Sequence, residues 1–304
     1  MITRRGFLAL AAAGALAAAA GCGSRSGPAV VRIASGENGG LYHAFAGLLT
    51  RAAAETDDLR IEPVVTSGSR ENLDLLARGE VDLALTLADS VDPMAVDAVA
   101  IGRVYENYLQ LVVRADSPVV AAGDLRGMRV NLGAEGSGAA LTGERLMIAA
   151  GLDPATELTV THLPLDAATG ALEAGSIDAL LWAGGVPTAA LDIPARMRLV
   201  DLSELVSPMR DRFGQVYDPV TIPADAYPGG PAVGTVGVAN LLLAAEGLTD
   251  VLAAEVVDLL LYRAADLVPP EASGTQFLDG RSLITTAGVP LHPGAAEAYR
   301  RWHG

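Results

Sequence analysis

The chain has 304 residues, 51% of them hydrophobic, and a formal net charge of −15, which is enough for two domains with a sizeable core in each. An acidic balance of that size excludes nucleic acid as a natural partner. No lysine is present, so all 21 basic residues are arginine; a phosphate-loop ATPase motif and Schiff-base chemistry are both excluded.

At the amino end, Arg4 and Arg5 precede an apolar stretch from Phe7 to Ala20, the layout of a twin-arginine export signal and too short to span a bilayer comfortably. Ala19, Ala20 and Gly21 then lead into Cys22, the single cysteine, and resemble the lipoprotein processing site at which cysteine becomes the lipid-bearing first residue; the alternative is an inert buried thiol. Residues 1–21 are therefore expected to be an export signal and 22–29 the lipidated cysteine and its tether. The mature chain is expected outside the cytoplasm, held to the membrane by that lipid.

Downstream, residues 30–34 read as a strand, 35–40 as a glycine-rich turn, and a helix starts near Leu41 with Tyr42 in its first turn. A second strand over 60–65 leads to Thr66, Ser67 and Gly68, with Ser69 placed to cap a helix that turns Leu73 and Leu76 inward. Residues 81–87 form a third strand, and 108–113 a strand leaving the first lobe. A turn over 124–127 precedes a strand over 128–132, and Gly133 to Gly138 link that strand to a helix ending near Gly151, with Leu141 and Ile148 on one face. Strands follow over 159–163 and 177–181, and residues 201–217 are helical in part. Residues 235–242 form a strand that carries the chain back, and final helices, including 251–267, complete the first lobe.

One module occurs twice in this sequence, as residues 75–85 and again as 171–181. In both a helix ends, a glycine (Gly79 or Gly175) occupies the left-handed closing position, and a short apolar run forms a buried strand of a parallel sheet. Upstream of each module lies a Gly/Ser-rich turn that opens a helix, and two such turns facing one another make a binding cleft. The expected fold class is α/β with two lobes, residues 30–113 plus 237–304 in the first and 114–236 in the second.

Enzymatic and metal motifs fail on inspection. Glu135 stands where a nucleophile elbow around Ser137 needs glycine, and Leu141 breaks the dinucleotide fingerprint. His43, His162, His292 and His303 have no metal-ligand spacing and no second cysteine beside them. No catalysis, cofactor or metal is expected.

Taken in order and spacing, several segments carry a family resemblance over nearly all of the mature chain. They are Ser35, Gly36, Gly40, Leu41 and Tyr42; Thr66, Gly68, Ser69, Glu71 and Asn72; Gly79 with Asp82; Asp124 to Gly127 with Asn131 and Gly133; and Gly136, Ser137 and Gly138. They continue through Gly175 and Asp178, Gly184 to Pro187, Pro223 with Tyr227, residues 235–240, and His292 to Ala295. The chain resembles the solute-binding receptor of a tripartite (TRAP) transporter, of the TAXI type.

That resemblance implies a type II periplasmic-binding-protein fold that closes on its solute and delivers it to an integral-membrane TRAP permease; the chain is expected to be a monomer. It implies a small anionic solute, an organic acid or an acidic amino acid such as glutamate. Helix amino termini with flanking hydroxyls favour a carboxylate without a dedicated cation. The implied ligand contacts are Gly36, Gly40 and Tyr42; Ser69 and Asn72; and Ser137 and Gly138, with Trp182, Gly184 and Gly185 as additions. Ser69 and Ser137 equally suit a plain helix cap, Asn72 a cap as well as a contact, and Tyr42 and Trp182 core packing. Glu37 and Arg70 depart from the family pattern: an inward Arg70 would clamp a second carboxylate, an inward Glu37 would favour an ammonium group, and both facing water is the plain alternative. A ligand sensor, or the receptor of an ATP-driven importer, is the other function this fold would serve.

Overall fold

The computed structural model describes residues 27–92, 94, 97–191, 193, 195–269 and 279–304. The export signal and Cys22 lie outside the described residues. The first half runs β1 (Ala29–Ala34), α1 (Leu41–Ala54), β2 (Leu59–Val64), α2 (Ser69–Ala77) and β3 (Leu83–Leu87). A long strand, β4 (Val99–Arg114), then leads to a second unit of the same order: β5 (Arg129–Asn131), α3 (Gly138–Ala149), the single turn α4 (Pro154–Glu157), β6 (Thr159–Thr161), α5 (Leu165–Glu173) and β7 (Ala179–Gly184). The remainder comprises β8 (Met197–Val200), α6 (Val206–Phe213), β9 (Tyr217–Ile222), β10 (Val233–Ala244), α7 (Asp250–Tyr262) and α8 (Pro293–His303).

The strands lie in the order β2-β1-β3-β10-β4-β7-β5-β6, with β8 on β4 and β9 on β10. β1 pairs in parallel with β2 and β3, and β5 in parallel with β6 and β7, while β10 and β4 run antiparallel to their neighbours. Two parallel three-stranded units are thus joined through a pair of long antiparallel strands. Parallel strands need crossovers, and helices supply them, so both sheet faces are covered and short apolar strands such as β3 are buried at every position.

The repeated module has a local cause on both occasions. Gly79 (φ +67°) and Gly175 (φ +70°) close α2 and α5. The following amides reach back, Glu80 to the Leu75 carbonyl and Ser176 to the Ala171 carbonyl, which satisfies the helix ends. The aspartate of each module then pins its strand to the next: the Asp82 carboxylate accepts the Arg32 amide at 2.7 Å, and that of Asp178 accepts the Arg129 amide at 3.0 Å.

One core packs α1, α7 and α8 around Phe45, Leu49, Val257 and Tyr299, and its counterpart packs α3 and α6 around Leu109, Leu146, Met147 and Met209. Gly294 lets α8 approach α7, because a Cβ there would overlap the Asp250 carbonyl. His292 caps α8: its Nδ1 accepts the Gly294 amide and its Nε2 donates to the Leu248 carbonyl.

Three expectations change. The inward face of α3 carries Thr142, Gly143, Leu146 and Met147, leaving Leu141 and Ile148 half-buried at its margin, because the helix packs through its small residues against β7. The strand expected over 108–113 extends over 99–114, since β10 pairs along most of it. The helix expected over 251–267 ends at Tyr262 and continues as a short 3-10 turn over Ala264–Leu267.

Glu106, on β4, is 2% exposed; Arg103 donates to it, yet burial pushes its carboxyl up to about 7. An ordinary glutamate ionises near 4.5, so between pH 4.5 and 7 the folded chain keeps a proton that the unfolded chain has lost. Stability therefore falls as pH rises through that window. The melting temperature is expected to carry a downward component there that Glu106→Gln lacks, and equal slopes in the two proteins would contradict it.

Candidate ligand cleft

Three helices begin at one cleft. Gly40 precedes α1, Gly68 precedes α2 and Ser137 precedes α3, and all three border the same cavity. Neither α1 nor α2 has a capping side chain, so their first-turn N–H groups keep their hydrogen-bonding capacity, and the positive ends of three helix dipoles meet there.

The two halves touch across this space. A Cβ placed on Gly68 would lie 3.4 Å from Ser137 Cα, and one on Gly138 would overlap Ser69 Oγ and lie 2.8 Å from Leu87 Cδ1. A second tie lies beyond Leu87. The buried Asp89 carboxylate accepts from Thr142 Oγ1 at 2.7 Å and from the Tyr217 hydroxyl at 3.1 Å, and Arg145 donates to the Asp89 carbonyl at 2.6 Å. Burial raises the Asp89 carboxyl above the usual carboxylate range, against the pull of Thr142, Arg145 and Tyr217.

Most of the sequence-expected contacts converge. Gly36, Gly40, Tyr42, Ser69, Ser137, Gly138 and Trp182 all line the cleft. Tyr42 combines both readings: its ring packs edge-on to Tyr105 with centroids 6.3 Å apart, and its hydroxyl bonds Ser69 Oγ at 3.1 Å. Burial pushes its phenol far above the ordinary range, so it stays protonated. Ser137 is a true cap, accepting the Ala140 amide at 3.1 Å.

Ser69 is not the cap expected of it. Gly68 holds the cap position at φ +129°, and Ser69, already inside the helix, accepts the Leu87 amide at 3.0 Å, which ties α2 to β3. Asn72 does not line the cleft. It is fully buried, donates to the Leu85 carbonyl at 2.6 Å and accepts from Thr66 Oγ1, which in turn accepts the Gly36 amide, so it holds the first two turns in register. Gly184 and Gly185 also stand behind the wall. A Cβ on Gly184 would overlap Trp182 Nε1, while the Gly185 carbonyl accepts from Gln110 and Thr188.

The two departures from the family pattern separate. Arg70 is exposed and takes no part in the lining, because its place in the first turn of α2 faces solvent. Glu37 does line the cleft, and also a neighbouring cavity that reaches Leu165, Asp166 and Thr188. Burial raises its carboxyl, the Asp166 charge raises it further, and an N–H from Leu165 pulls it back. Asn107 of β4 is a lining residue that sequence reasoning missed. Its signal was a group of polar residues, Glu106, Asn107 and Gln110, in the middle of a largely apolar strand. Among the described residues, no arginine or histidine lines the cleft, and no three His, Cys, Asp or Glu side chains group as a metal site.

The sequence model of the NMT1-like family matches residues 33–301, nearly all of the described chain. The chain belongs to the NMT1-like family. Solved structures of like architecture include XAC2383 from Xanthomonas citri bound to ATP, at 14% identity and a TM-score of 0.51 over 89% of this chain and 98% of that one. Another is a putative L-cystine ABC transporter protein from Listeria monocytogenes, at 12% identity and 0.51 over 78% and 91%. A third is the periplasmic aliphatic sulphonate binding protein SsuA from Escherichia coli, at 19% identity and 0.46 over 90% and 79%. At such identities the likeness is one of fold, and the fold is the two-lobed α/β architecture of type II periplasmic binding proteins.

Gly138→Ala tests whether contact between the halves matters. The added methyl has no room against Ser69 and Leu87, so the halves should stand further apart in small-angle scattering, and solute binding should weaken about tenfold or more. Unchanged scattering and affinity would show that the two helix starts need not meet.

Proposed function

We propose that this NMT1-like protein is an extracytoplasmic solute receptor that captures a small metabolite through an acid group and hands it to a membrane importer. The observation that carries the reading is the meeting of three helix amino termini at one cleft that no cationic side chain lines among the described residues. Main-chain amides held in that way bind a carboxylate by hydrogen bonds and dipole field together. Catalysis is not part of the reading. The hydroxyls of Ser69 and Ser137 are occupied as acceptors of backbone amides, which is the role of a scaffold and not of an activated nucleophile.

The twin-arginine signal and the lipid on Cys22 belong to the same proposal, since a receptor serving an importer works on the outer side of the membrane. The sequence resemblance to TAXI receptors supports a TRAP permease as the partner. Delivery to an ATP-driven importer is a second reading, favoured by the fold shared with the putative L-cystine ABC transporter protein. Copurification of the full chain with the permease encoded beside it distinguishes the two.

A thermal-shift screen of the mature chain against organic acids and amino acids, followed by calorimetry, tests receptor function. A solute at about 100 times its Kd should stabilise the fold by roughly 2.7 kcal/mol. Ser137→Val, which fills the cleft and removes a cap, should lower the melting point of the free protein modestly and abolish the solute-induced rise. A full rise in that variant would remove Ser137 from the binding surface.

A further inference from the structure

The end of β3 reaches into the other half of the molecule. Leu87 packs with Leu109, Ala139 and Leu146 in the second core, and two residues further on the Asp89 side chain is wholly out of water. The side chains that meet Asp89 come from the second half. Thr142 Oγ1 and the Tyr217 hydroxyl both donate to its Oδ2, and the Arg145 guanidinium stands 3.6 Å from that oxygen while donating to the Asp89 carbonyl. Its own amide aside, no donor from the first half reaches this carboxylate among the described residues.

Two opposed terms make such a contact reversible. Burying a carboxylate is costly, so parting the halves returns Asp89 to water, whereas bringing them together supplies charge-assisted hydrogen bonds. The donors have other partners to fall back on. Thr142 has one proton and two acceptors within reach, Asp89 and, 3.0 Å away in its own helix, the Gly138 carbonyl. Arg145 keeps the Tyr217 hydroxyl at 3.2 Å and lies over the Phe213 ring, 5.5 Å from its centroid, both within the second half. Gly138 opens α3 and lines the cleft, so the Thr142 hydroxyl stands between Asp89 and a helix start that borders the solute space.

We infer that Asp89 is a releasable latch between the halves, holding the second turn of α3 against the end of β3 when the cleft is closed and letting go when Thr142 turns back to Gly138. Asp89 does not line the cleft, so it is a positioning residue and acts through α3. The latch goes beyond the receptor reading: it sets how readily the halves part, whatever solute lies between them.

Amide hydrogen exchange and small-angle scattering of the mature chain, both without solute, test the latch separately from the receptor reading. Thr142→Val keeps the shape of the side chain and lacks its hydroxyl, and Tyr217→Phe removes one oxygen. Each should speed exchange over residues 85–90 and 138–145 about tenfold or more, the scale of a hydrogen bond to a charged group, and enlarge the radius of gyration. Exchange in α8, which packs in the other core, should stay as it is, and Thr142→Ser, which restores the hydroxyl, should match the parent protein. Should Thr142→Val fail to fold, as judged by its circular dichroism melt, Tyr217→Phe decides. Faster exchange throughout the chain, α8 included, would mark Asp89 as a fixed brace and overturn the latch, as would unchanged exchange or a Thr142→Ser variant that behaves like Thr142→Val.

Discussion

The approach of Gly68 and Ser69 to Ser137 and Gly138 is the constraint on which the rest of the molecule depends. Two helices begin facing each other, and the contact between them has no room for a side chain on Gly138, while Gly68 is held at φ +129°, which side chains rarely adopt. Without Cβ atoms, backbone meets backbone, and the first-turn amides of both helices come within reach of a single small solute. The tie around Asp89 braces the same junction from beyond Leu87, so the halves are joined at more than one point outside the long strands.

Polarity follows from that junction. The chain as a whole is strongly acidic, and among the described residues its cleft has no cationic side chain, yet three helix amino termini make one region of it electropositive. Backbone donors of this sort are held by the helices themselves and need no ordering of long side chains when a solute arrives. Glu37, from a turn, and Asn107, from a central strand, also line the cleft.

Several residues matter by standing behind the lining. Asn72 joins α2 to β3 and, through Thr66, to the Gly36 turn, so three segments that border the cleft share one buried hydrogen-bond chain. Gly184 leaves space for the Trp182 indole, and the Gly185 carbonyl collects Gln110 and Thr188. All three looked like contacts in the sequence, because small and amide residues beside a turn are what a binding loop and its support both require. Arg70 gave no such local signal. Its neighbour Ser69 is buried and it is exposed, a difference of one helical step.

The sequence by itself determined the elements and their repetition. Glycines at left-handed closing positions, aspartates one strand away and short apolar runs act over a few residues, so the two α/β units and most of the turns bordering the cleft were legible before any coordinates. Only the tertiary structure decided which of those turns face one another, that Glu37 points inward and Arg70 outward, and that Asn107 joins the lining. Those outcomes depend on how strands 99–114 and 233–244 bring distant segments together, and contacts between residues far apart in the chain leave no periodicity or spacing for local pattern to register.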